Sequence, residues 1–260
     1  MHRTWQFKDL EFVVLWEQMR EDILPRPFIF TTDIPYEEEY QRERRRIRES
    51  LQSTADPALA TVLEDVARPD IHVIVRGFDT GNPLDPERSI RLLAVRREYR
   101  GYLLIQLPGR TVEHSGGFTV TECDPLRLAD MVAAALPETA AGKQARIVLP
   151  SAHEEVHDQN YGGPALWEAF EDTGRAQGDR FLRTQPACAG GIEISQGISR
   201  FGPRGRVIRY LEWRDLSDDG RYVITFDEPI TAHAADTTCL TGMINAEIAT
   251  IVNSIKDEHM

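Results

Sequence analysis

The chain has 260 residues, 41% hydrophobic and 28% charged, with a formal net charge of −12. Such proportions allow one compact core or two small lobes and exclude wholesale disorder. The acidic balance argues against nucleic acid or an anionic membrane as the main partner, since both need a cationic face.

In chain order, Asp9 is placed to cap a helix in which Phe12, Trp16, Met19 and Ile23 recur at helical spacing. Pro25-Arg-Pro-Phe-Ile-Phe30 cannot continue it, because proline lacks the N–H and restrains the residue before it. From Tyr36 to Leu51 a charged helix is predicted, with Tyr40, Ile47 and Leu51 on a thin apolar stripe. Its basic run Arg42-Glu-Arg-Arg-Arg-Ile-Arg48 interleaves with Glu37, Glu38, Glu39, Glu43 and Glu49, the mark of a solvated face and not of a nucleic-acid site. Leu59, Val62, Leu63 and Val66 predict a third helix, ending near Pro69.

Strands are then predicted at Ile71–Arg76 and Ser89–Val95, joined by Phe78-Asp-Thr-Gly-Asn-Pro-Leu-Asp-Pro86, a turn-rich loop expected to project from the sheet. Tyr102–Leu107 and Phe118–Glu122 add two strands before a helix that ends at Pro137, and Glu138–Gln144 reads as a turn or linker. The second half opens with a strand at Arg146–Leu149 and a polar loop to Gly163. Pro164 then starts a helix through Leu166, Trp167 and Phe170. Ile192, Ile194 and Ile198 mark a strand, Val207, Leu211 and Trp213 another, and Tyr222, Ile224 and Phe226 a third. The last helix carries Leu240, Met243, Ile244, Ile248, Ile251, Val252 and Ile255 on one face. This order gives an α+β fold with a central, mostly antiparallel sheet.

Two helical segments align without a gap, 112 positions apart (236 − 124): Asp124/Asp236, Leu128/Leu240, Met131/Met243 and Ala134/Ala246 are identical, and Val132/Ile244 and Leu136/Ile248 stay apolar. A pseudo-twofold internal repeat is therefore expected, within one domain spanning 1–260 whose halves are 1–137 and 145–260. A duplicated body of this kind points to a scaffold more than to a catalyst.

The search for chemistry yields one motif. His153-Glu-Glu-Val-His157 fits H-E-x-x-H, in which two imidazoles on a helix bind zinc and the glutamate activates water. Pro150 before it and Gln159-Asn-Tyr-Gly-Gly-Pro164 after it leave no room for a long helix, so a solvated loop is the simpler reading and zinc hydrolysis the alternative. No G-x-S-x-G elbow, P-loop or dinucleotide fingerprint is present; Ser115-Gly-Gly117, Gly162-Gly163 and Gly190-Gly191 read as turns, and Asp218-Asp-Gly220 as a hairpin turn. Cys123, Cys188 and Cys239 are scattered, which suits a reducing compartment and neither a disulfide framework nor a thiolate metal site. No cofactor, no metal and no enzymatic activity are expected. The start of the chain has no apolar run behind its charges, and no stretch approaches the roughly 20 apolar residues of a membrane span, so a cytoplasmic protein is expected. The arginines of Pro203-Arg-Gly-Arg-Val-Ile-Arg209 are either a cationic face for an acidic partner or the solvated side of an edge strand.

The opening Asp9-Leu-Glu-Phe-Val-Val-Leu-Trp-Glu-Gln-Met19, with Leu24-Pro-Arg-Pro-Phe28, resembles the start of EspG proteins, the cytosolic chaperones of actinobacterial type VII secretion. The resemblance resumes at Ala67-Arg-Pro-Asp-Ile-His-Val73 and Arg91-Leu-Leu-Ala94, and is clearest at Asp215-Leu-Ser-Asp-Asp-Gly-Arg-Tyr-Val-Ile-Thr225. It implies quasi-twofold symmetry, a central antiparallel sheet and two helical bundles. It also implies a partner: the helical tip of a PE–PPE-type heterodimer, kept soluble until secretion. A generic interaction scaffold with another client is the further alternative. Mapped by segment, the family's contact surface falls on the loop Asp79–Glu87, the strand Arg204–Trp213 and helices near Trp167 and Met243. The candidate contacts are Asp79, Asn82, Leu84, Trp167, Arg206, Arg209 and Trp213.

Overall fold

The structure, a computed structural model, describes residues 3–19, 23–53, 56–150 and 165–259, with the backbone alone for 165–173. Ile71-His-Val-Ile-Val75 has apolar residues at consecutive positions, the mark of a strand covered on both faces. It opens β2 (Ile71–Asp79), which pairs with β3 (Ile90–Arg97) on one side and β7 (Cys188–Gln196) on the other. Outward from β3 lie β4 (Arg100–Pro108), β5 (Ser115–Cys123) and β1 (Thr4–Phe7). Outward from β7 lie β8 (Ile208–Leu216), β9 (Gly220–Thr225), β10 (Thr231–Ala234) and β6 (Arg146–Val148). Every neighbouring pair in this ten-stranded sheet is antiparallel.

Helices cover the sheet unequally. On one face, α4 (Leu128–Ala134) and α6 (Thr237–His259) bury Leu128, Val132, Leu240, Ile244 and Ile251 against Val73, Val75, Leu92, Ile192, Ile194 and Leu211. On the other face, α1 (Asp9–Glu17) and α3 (Pro57–Ala67) cover the N-terminal strands, with Phe12, Trp16, Val62 and Leu63 over Leu93, Leu104, Phe118 and Val120. The outer α2 (Glu37–Ser53) buries no residue fully and lays Tyr40, Ile47 and Leu51 on Leu10, Val13 and Val14, so α1 is apolar on both sides. At the far end of the same face, Phe181 of α5 (Ala165–Arg183) meets Tyr222 edge-on at 5.2 Å, beside Ile147, Leu149, Ile224 and Ala232. Arg214 closes this helix by donating to the carbonyls of Phe181 (3.0 Å) and Thr184 (2.6 Å), the use of a cation at a helix C-terminus.

Several expectations change. The first helix stops at Glu17; Trp16 Nε1 bonds the Ile23 carbonyl, and the Ile23 side chain stands in water. Ile198 and Phe226 fall just outside β7 and β9 and are exposed, while β1 and β10 are strands the pattern did not reveal. Gly190-Gly191 lies within β7, not in a turn, and Ser115-Gly-Gly117 begins β5 beside a register shift in β4. Asp218-Asp-Gly220 is the β8–β9 hairpin turn, with Gly220 at φ 145°. The stretch 138–144 is irregular, yet it is strapped to β9: Arg221 N–H donates to the Ala140 carbonyl (2.7 Å) and Gly142 N–H to the Arg221 carbonyl (3.0 Å).

Counted outward from the β2–β7 pair, β3 matches β8 in position, β4 matches β9, β5 matches β10 and β1 matches β6. The 112-residue spacing does not extend over this arrangement, since β2 and β7 begin 117 positions apart (188 − 71) and β4 and β9 begin 120 apart (220 − 100). Strand order is symmetric; the internal sequence repeat is not confirmed.

Candidate protein-docking surface

Strand β8 is apolar on both sides. Leu211 and Trp213 point to the α6 face and are buried, whereas Ile208 and Tyr210 point to the other face, 44% and 51% exposed. There the α1–α3 layer ends over β2 and α5 reaches β8 only at Arg214 and Leu216, so among the described residues no helix covers β7 or the Ile208–Glu212 part of β8. The result is a bare strip of sheet. Phe226, 50% exposed, extends it beyond the end of β9, and Arg76, Phe78 and Gly191 extend it toward the β2–β3 loop. Exposed aromatic and aliphatic side chains gathered on a rigid sheet are the usual signature of a protein-binding surface.

Charge at the strip is arranged and not random. Tyr210 lies opposite Glu193 in the register, and Glu193 in turn opposite Ile74. Arg26 grips Glu193 with two bonds, 3.3 Å from Nη1 and 2.9 Å from Nη2, pinning the proline-rich segment after α1 to the strip's margin. Nearby His72 is held neutral: burial first, then the charges of Arg206 and Arg26, pull its pKa from 6.5 to about 4.

The predicted contact residues divide into three groups. Asn82 and Leu84 sit on the projecting β2–β3 loop, Leu84 being 75% exposed, and Arg206 is exposed at the opposite end of the strip, just before β8. Asp79 works inside that loop: it accepts from the N–H groups of Gly81 (2.8 Å) and Asn82 (3.1 Å) and pairs with Arg88 at 3.3 Å. A cavity of about 330 Å³ opens at the loop's base among Pro27, Arg76, Phe78, Pro83, Ile90 and Arg91.

Two residues are corrected. Arg209 lies on the α6 face of β8, where Nε holds Glu247 at 2.6 Å and Nη2 holds Asp227 at 2.8 Å, so its charge is consumed internally. Trp213 is fully buried, its indole lying over Gly77 and Gly190, and it shapes the sheet from within. Met243 likewise packs on the core. The side chain of Trp167 lies outside the described residues, as does the whole of His153-Glu-Glu-Val-His157. Among the described residues no cluster of His, Cys, Asp or Glu is placed to hold a metal ion, and no helix is long and apolar enough to cross a membrane.

Tyr210, Ile208 and Glu193 do not stand out in the sequence, because Leu211 and Trp213 form the stronger of two alternations in Ile208-Arg-Tyr-Leu-Glu-Trp213. Large apolar residues in both registers of one strand were the available signal. Such a strand can be covered on each face, and among the described residues only the α6 face of its first half is.

The model of the EspG family matches residues 8–246. No curated protein matches the sequence. Among solved structures, the chain is similar to the Mycobacterium tuberculosis type VII secretion system chaperone EspG5, in its complex with the PE25-PPE41 dimer. The TM-score is 0.56 and the identity 12%, over 93% of this chain and 94% of that one. At that identity the likeness speaks for the fold.

Proposed function

The chain belongs to the EspG family, and on that premise we propose that it is a cytoplasmic, non-enzymatic chaperone of type VII secretion that binds the helical tip of a PE–PPE-type heterodimer. The observation that carries this reading is the bare strip on β7 and β8, where Ile208, Tyr210 and Phe226 are exposed between two helix-covered regions. An apolar helical tip aggregates in water, and a flat apolar strip with polar margins covers it without any reaction. A stable complex of this kind buries about 1,200–2,000 Å² in total. The strip and the β2–β3 loop together offer aromatic anchors near the centre and Asn82, Leu84 and Arg206 toward the rim. The solved complex of EspG5 with PE25-PPE41 supports the choice of client. Both halves of the chain contribute strands to the one sheet, which supports treating 1–260 as a single domain.

Co-expression with PE–PPE pairs encoded beside the chain, followed by size-exclusion chromatography, tests the proposal. A co-eluting complex that Tyr210→Ala weakens is the expected result. Failure of every such pair to co-elute with the wild-type chain overturns it.

A further inference from the structure

The loop between β7 and β8 borders the Ile208 end of the strip. It carries Phe201 between Arg200 and Arg204, with Arg206 following, inside a chain whose net charge is −12. Phe201 is 75% exposed and Ile198 64% exposed. The loop cannot easily tuck these side chains away, because it is tied at several points. Glu258 of α6 accepts from Ser199 Oγ (2.8 Å) and from the Arg200 N–H (2.9 Å), and Arg200 Nη1 donates to the Glu258 carbonyl (2.6 Å). Gln196 Nε2 donates to the Ile198 carbonyl at 2.8 Å, and Gln196 Oε1 accepts from the Val207 N–H at 3.4 Å. Arg26 and Arg209 spend their charge on Glu193, Glu247 and Asp227, whereas among the described residues no carboxylate lies within ion-pair distance of Arg204 or Arg206. Arg206 stands exposed two residues before Ile208, at the end of the strip.

A tethered aromatic knob followed by two cations that have no carboxylate partner among the described residues is complementary to one kind of surface: an apolar patch flanked by carboxylates. We propose that the β7–β8 loop is a second anchoring point of the docking surface, and that the client segment it receives is apolar with acidic residues at its margin. This rests on the client reading above. Phe201 supplies the buried contact, and Arg204 and Arg206 select the acidic flank and speed encounter at low salt.

The test uses the full chain and the PE–PPE pair that co-elutes with it, with affinities measured by calorimetry at 50 and 300 mM salt. For the wild-type chain the Kd is expected to rise with salt. R204E/R206E should bind about tenfold or more weakly at low salt and lose most of the salt dependence, with R204Q/R206Q in between. F201A should bind about tenfold more weakly and keep the salt dependence. Thermal melts confirm that each variant is folded, and Y210A serves as the strip control. If Y210A weakens binding while R204E/R206E stays within about twofold of wild type, the loop is not an anchor and the client reading stands. If the wild-type chain binds no PE–PPE pair, the client reading fails and this inference falls with it.

Discussion

Trp213 on β8 lies across Gly190 of β7 and Gly77 of β2, so one indole spans the three central strands of the sheet. A Cβ on Gly77 would sit 2.6 Å from the indole Cζ2, and a Cβ on Gly190 would collide with the ring and with the Arg76 carbonyl oxygen. The two glycines face each other in the register, and Gly190 also faces Trp213. They form the slot that the largest core side chain fills, at the junction of the N- and C-terminal halves.

Filling that slot should be destabilising. Gly190→Ala and Gly77→Ala are each expected to cost about 1–3 kcal/mol through overpacking, and Trp213→Ala about 3–5 kcal/mol through the cavity it leaves. Urea unfolding measures all three. A Gly190→Ala protein as stable as wild type would show that the indole does not occupy the slot.

The buried ion pair beneath the strap should be sensitive to loss of its anion. Arg221 is fully buried, with Nε 2.7 Å and Nη2 2.8 Å from Asp215, a further bond from Nη2 to the Pro137 carbonyl at 2.8 Å, and, among the described residues, no partner for Nη1. Asp215→Ala leaves an uncompensated guanidinium in the core and should cost about 3–5 kcal/mol. Replacing both residues by apolar ones should restore part of that loss, which the same unfolding measurement decides.

Adjacent residues on β8 should separate binding from folding. Tyr210→Ala is expected to leave stability within about 0.5 kcal/mol of wild type and to weaken client binding by about 2 kcal/mol. Arg209→Ala should do the reverse, lowering stability by about 1 kcal/mol as Glu247 and Asp227 lose their partner, with little effect on binding. Equal effects of the two on client affinity would contradict the assignment of faces.

His72 should give the protein an acid-sensitive component. Its folded pKa, about 4, lies below the ordinary 6.5. Above pH 6.5 the imidazole is neutral in both states and contributes no pH dependence. As the pH falls below that value the unfolded chain takes up a proton that the native one refuses, so stability drops until about pH 4. At pH 5 the loss is about 2 kcal/mol relative to pH 7.5. His72→Gln should lose correspondingly less between those two pH values in urea unfolding. An unchanged difference would mean that His72 is not desolvated.

Local patterns in the chain carried much of the architecture. The stripe from Leu240 to Ile255, the charged run ending in α2, and Leu59 to Val66 each declared a helix, because one face of each is apolar at the helical period. Val73, Val75, Leu92 and Ile194 declared central strands for the same reason at period two. Short elements were illegible: β1 and β10 have four residues each, too few for a period to emerge, and they are strands because β5 and β9 present backbone groups for them to pair with.

The sequence by itself determined the fold class, the antiparallel order of its hairpins and the family, since these follow from patterning and turn chemistry distributed along the whole chain. Only the tertiary structure decided which face of β8 meets solvent. Trp213 and Tyr210 are both large aromatics on one strand, and alternation says only that residues an odd number apart oppose each other. The face that becomes the core is the one α6 covers, and that depends on a helix that begins 24 residues later in the chain (237 − 213). Burial is a property of what arrives from elsewhere.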